Sequence, residues 1–84
     1  MKELRKLIIK LEAAEEKASE ADKAWEKDPE SQEKEKAFDE AYKAEWAAFK
    51  AVRNKIKKLA GVNDNTASAM IRNHRDEVKK MIGL

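Results

Sequence analysis

Leu4, Leu7, Leu11, Ala14, Ala18, Ala21 and Trp25 follow one another at alternating steps of three and four residues. That spacing keeps them on one side of an α-helix and predicts a helix over about 2–27 with an unbroken heptad seam, widened by Ile8. Asp28-Pro29 then punctuates the pattern. Proline cannot extend the first helix but fits the first position of a second, with Asp28 as its N-cap. The second helix, over about 29–60, carries Phe38, Ala41, Tyr42, Phe49, Val52, Ile56 and Leu59 on its main stripe. Ala37, Ala44, Ala48 and Ala51 give it a second, small-residue face, so it is expected to meet two neighbours. The stretch from Glu30 to Lys36 is wholly polar and is expected to fray or project into water. Gly61 sits where a helix end calls for a left-handed backbone. Val62-Asn63-Asp64 turns the chain into a third helix over about 65–82, capped by Asp64 or Asn65 and ended by Gly83. Its stripe is Ala67, Met70, Ile71, His74, Val78, Met81 and Ile82.

The expected fold is therefore all-α, one domain over residues 1–84: an antiparallel hairpin of two long helices joined to a shorter C-terminal helix. A tight turn at Asp28 sets Leu4 and Ile8 opposite Val52 and Phe49, and Leu11 near Trp46. Ala14 and Ala18 then face Tyr42 and Phe38, small against large, as interdigitating layers require. Ile56 and Leu59 overrun the first helix and are left for the third to cover.

Composition refines this picture. The 84 residues are 42% apolar and 43% charged, with two glycines and one proline, a helix-rich profile. Much of the apolar share is alanine, which buries little area, so the core is thin and self-association would thicken it. Without cysteine there are no disulfides and no thiolate metal sites. Lys10 interrupts Leu7-Ile8-Ile9 and no small-residue cleavage site follows, unlike a signal peptide. No run of about eighteen apolar residues occurs to span a membrane. A cytoplasmic location is the expectation. Alone, the first helix resembles a membrane-surface segment, with Lys2, Arg5, Lys6 and Lys10 around its leucines; in the folded hairpin those leucines are needed inside.

The net charge of +2 conceals a separation. Residues 1–11 hold Lys2, Arg5, Lys6 and Lys10 against Glu3, a net +3, and residues 50–84 carry a net +6. Residues 12–49 carry −7. Folding the hairpin brings the two basic segments to one end and leaves the tip acidic. Gathered like charge costs stability, which points to an anionic partner or to attraction between one molecule's tip and another's basic end. Helix-dipole preference alone also places Lys55, Lys57 and Lys58 near a C-terminus.

One local motif stands out. Ala60-Gly61-Val62 and Thr66-Ala67-Ser68, followed by Met70 and Ile71, lie at a spacing that resembles the helix-turn-helix of lactose-repressor-type DNA-binding headpieces. The resemblance covers residues 53–72. It departs at Lys57, where that family has a small residue, and at Ala69, where it has an arginine. What it implies is a helix whose N-terminal polar residues approach base edges while flanking cations hold phosphates.

No paired carboxylates in an apolar setting, glycine-rich phosphate loop or nucleophile constellation is present, so neither an enzyme nor a small-molecule or cofactor site is expected. His74, the sole histidine, shares a register with Met70, Ile71 and Val78 and is expected at a core boundary. Phe38, Tyr42, Trp46 and Phe49 could stack bases but fall on or beside the seam, which favours core packing. Trp25, opposite polar residues such as Gln32, and Ile9, off the main stripe, are candidate protein contacts.

The preferred expectation is a non-enzymatic interaction module whose basic end, residues 1–11 and 50–84, engages nucleic acid. Lys55, Lys57, Lys58, Arg72, Arg75, Lys79 and Lys80 would hold phosphates, with Asn65, Thr66, Ser68 and Asn73 near bases. The rival is a protein–protein adaptor, or a homodimer in which two hairpins form a four-helix bundle.

Overall fold

The computed structural model describes residues 2–84. All its regular structure is helical: α1 (Lys2–Lys27), α2 (Gln32–Ala60), α3 (Asp64–Asn73) and α4 (Arg75–Met81). At 1.5 Å per residue the 29 residues of α2 span about 43 Å, which sets the 45 Å long dimension of the molecule. α1 and α2 form the long antiparallel hairpin.

The tip differs from the expected tight joint. Asp28 does not cap α2. Its carbonyl accepts from the Ser31 N–H at 3.1 Å, closing a turn with Pro29 at its second position, where proline's fixed φ is suited. Ser31 is the true N-cap, its hydroxyl accepting from the Lys34 N–H at 3.3 Å. The helix therefore begins at Gln32, and the polar stretch 32–36 is helical. The longer loop shifts the register at the tip, so Trp25 lies against Phe38, with ring centroids 5.3 Å apart, and not against Gln32.

Gly61 ends α2 at φ 67° and ψ 30°, its N–H donating to the Lys57 carbonyl at 2.9 Å. Asn63, not Asp64 or Asn65, caps α3: its side-chain oxygen accepts from the Thr66 N–H at 2.8 Å.

The expected third helix is two helices, broken at His74 (φ −128°, ψ 30°). Asp64 lies beside Arg53 and Lys57 while Arg72 lies over Phe49, so α3 runs antiparallel to the end of α2. Arg75 and Lys79 pair in turn with Glu15 and Glu12, so α4 runs back antiparallel to α1. An unbroken helix would have carried Val78 and Ile82 away along α2. The break folds them over Leu4 and Ile56, where they are buried. The Ile71 carbonyl at the break accepts instead from Arg75 Nε at 3.1 Å. His74, expected at a core boundary, is exposed at the apex, with its Nδ1 3.8 Å from Glu77.

The core fills only one half of the molecule. Leu4, Ile8, Leu11, Ala48, Phe49, Val52 and Ile56 of the hairpin close over Ala67, Ile71, Val78 and Ile82. Toward the tip, Ala18 is the one further buried apolar residue among those described. Of the second alanine face, Ala48 is buried and Ala51 half-buried, but Ala37 and Ala44 are exposed. Leu59, expected under the third helix, is 51% exposed, and Met81 is 71% exposed.

Candidate nucleic-acid interface

The basic end is built by three chain segments: the first turns of α1, the last turns of α2, and α3–α4. Its cations fall into two groups. Lys55 Nζ lies 2.5 Å from Glu3, and the bond from that ammonium holds the Glu3 carboxyl below its ordinary range. Lys57 Nζ lies 2.6 Å from Asp64 and lowers that carboxyl in the same way, with Arg53 as a weaker contributor. Arg53 Nε stands 3.6 Å from the same oxygen, beyond hydrogen-bond reach, and is a buried donor without a partner. Arg75 clamps both oxygens of Glu15, the Nη2–Oε2 distance being 3.0 Å, and this bond raises its guanidinium further above the ordinary range. Lys79 Nζ lies 3.1 Å from Glu12.

Four of the seven expected phosphate contacts, Lys55, Lys57, Arg75 and Lys79, are thus engaged within the molecule, and the last two tie α4 to the acidic stretch of α1. Lys58, Arg72 and Lys80 are exposed and make no ion pair among the described residues. Arg5, Lys6 and Lys10 on α1 share that condition. Arg72 lies over the Phe49 ring, its guanidinium carbon 5.1 Å from the centroid. An open groove of about 750 Å³ is lined by Glu3, Leu7, Asn54, Lys55 and Lys58.

The expected base contacts are partly displayed. Asn65, Thr66 and Asn73 are exposed, whereas Ser68 is half-buried. The Thr66 backbone is committed to the Asn63 cap, but its side chain faces out. Ile9 is 50% exposed, uncovered by α3 or α4. Trp25 is half-buried, and its Nε1 donates to the Pro29 carbonyl at 3.3 Å.

Two residues read as core packing are on the surface: Tyr42 is 57% exposed and Trp46 44%. Both lie on the flank of α2 near the end of the short α3, which leaves them only partly covered. The four-residue steps from Tyr42 to Trp46 to Lys50 were the available signal; they place two aromatics and a cation in one line. Among the described residues no three potential metal ligands cluster, and no helix is long and apolar enough to cross a membrane. No protein-family model, curated protein or solved structure matches this chain.

Proposed function

We propose that this chain is a non-enzymatic module that binds nucleic acid through its basic half. The reading rests on the cations that remain free once internal pairs are subtracted: Arg5, Lys6, Lys10, Lys58, Arg72 and Lys80. They share one end and have no carboxylate partner among the described residues. In this account Lys55, Lys57, Arg75 and Lys79 are structural, and the groove lined by Leu7 and Lys58 offers a path for a phosphate backbone. Binding is chiefly electrostatic and weakens steeply as salt displaces it.

Anisotropy of labelled duplex DNA and single-stranded RNA, titrated from low to physiological salt, tests this. The expected result is micromolar or tighter binding at low salt that is lost in Lys58→Glu/Arg72→Glu, with the helical circular dichroism unchanged. Absence of binding at every salt concentration would sink the proposal. Exposed Leu59 and Met81 favour a second reading, a protein–protein or homodimeric contact, which predicts a mass that rises with concentration.

A further inference from the structure

Two short stacks of side chains run along one flank of α2 and stop short of each other. In the first, Phe38 lies between Trp25 and Tyr42, with centroid distances of 5.3 and 6.1 Å. In the second, Trp46 lies almost parallel to Phe49, 5.5 Å away at 10°, and the Arg72 guanidinium covers the far ring. Between Tyr42 and Trp46, one helical turn apart, opens a cleft of about 180 Å³ lined also by Glu45, Glu15 and Arg75. Both aromatic rings are about half exposed, an unusual state for two large neighbours in a chain with so few aromatic residues.

From this geometry we infer that the cleft between Tyr42 and Trp46 receives one unpaired base of a single-stranded nucleic acid, with guanine preferred. A planar ring entering the cleft would meet the Tyr42 and Trp46 rings that line it. Stacking on aromatic side chains is the general way proteins hold single-stranded bases. Lys50 Nζ lies over the Trp46 ring, 5.6 Å from its centroid, and Arg72 lines the cleft, so both are near enough to meet the adjoining phosphates. From there Lys50 leads in helical steps to Lys58 and the free cations of the basic end.

The preference for guanine comes from the lining. Arg75 occupies both oxygens of Glu15, but Glu45 makes no hydrogen bond or ion pair among the described residues. Partial burial, and secondarily the Glu15 charge, push its carboxyl above the ordinary range, so it gains from new donors. A carboxylate accepts two hydrogen bonds side by side. Guanine alone among the standard bases presents two adjacent donors, N1–H and N2–H, on its pairing edge. Adenine and cytosine set a donor beside a ring acceptor that would face the carboxylate's lone pairs.

This inference rests on the nucleic-acid reading and adds to it. The test is anisotropy of a labelled uridine-tract RNA carrying one central guanine, against the same RNA with adenine there. Guanine is expected to bind about tenfold more tightly. Tyr42→Ala and Trp46→Ala should each weaken binding at least about fivefold while leaving the slope of affinity against salt unchanged. Glu45→Gln should abolish the difference between guanine and adenine. Tyr42 is 57% exposed, so its variant tests stacking at little cost to the fold, which circular dichroism checks in each case. If RNA binds but none of these three variants alters affinity or base preference, the cleft is excluded while the basic end stands. If neither RNA binds at low salt, both proposals fall.

Discussion

The two halves of this molecule are built from the same pair of helices and held in different ways. Near the chain ends, four helices close on Leu11 and Val52, which are 1% and 0% exposed. Toward the tip, two helices meet over alanines and a half-buried row of Trp25 and Phe38. The charge follows the same division, basic where the core is full and acidic where it is thin. Close packing at the basic end offsets the repulsion of its crowded cations, and the internal pairs to Glu3, Asp64, Glu12 and Glu15 reduce it. The free cations are therefore displayed on the more closely packed half.

Leu11→Ala removes a buried side chain where four helices meet and should cost about 2–5 kcal/mol, read as the denaturation midpoint. Phe38→Ala breaks two stacks at the half-exposed tip and should cost less, roughly 1–2 kcal/mol. Hydrogen exchange sharpens this contrast. Amides around residues 20–38 should exchange through local opening, and those around Val52 only near the global unfolding free energy. Equal protection in the two halves would contradict the division.

Smaller effects belong to the helix starts. Asn63→Ala, which leaves the Thr66 N–H without its cap, should cost about 1 kcal/mol. Ser31→Ala, with a longer bond at the open tip, should cost about half of that. Failure of Asn63→Ala to destabilise more than Ser31→Ala would show that the α3 start matters no more than the tip.

The smallest effect is electrostatic. The Glu45 carboxyl is raised by partial burial and by Glu15, against the pull of Arg75. A carboxyl with a folded value above its unfolded one stabilises the fold when protonated, and that contribution disappears as pH rises through the folded value. Glu45→Gln should therefore be slightly more stable than the parent at pH 7, by no more than about 0.5 kcal/mol. The advantage should vanish below about pH 4. Glu3 and Asp64, lowered by their lysines, act in the opposite sense, favouring the fold at neutral pH and losing that contribution on acidification. Thermal melts of parent and variant at both pH values check the sign.

The long helices were legible because their apolar spacing is regular and their ends carry strong punctuation, Pro29 and Gly61. What escaped the sequence was tertiary. The α2 start moved because Asp28-Pro29 also suits a turn, and Ser31 was an equally good cap. Nothing local forces the break at His74; burial of Val78 and Ile82 against Leu4 selects it. Asp76 and Glu77 near a helix start, with Arg72 before them near a helix end, were the available hints. The charge map located the basic end, but the pairs that engage its cations are tertiary: Lys55 meets Glu3 across the hairpin, and the partners of Lys57, Arg75 and Lys79, up to 67 residues away in sequence, depend on how α3 and α4 pack. Tyr42 and Trp46 were assigned to the core because their spacing fits the seam, whereas the length of α3 leaves them only partly covered.

The most direct test is a two-dimensional amide NMR titration of the protein with the guanine-bearing single-stranded RNA at low salt. Shifts should gather on the first turns of α1, on residues 42–58 and around Arg72 and Lys80, leaving residues 20–36 at the acidic tip unmoved. Shifts centred on the tip, or none at all, would contradict the assignment of the basic half as the binding face.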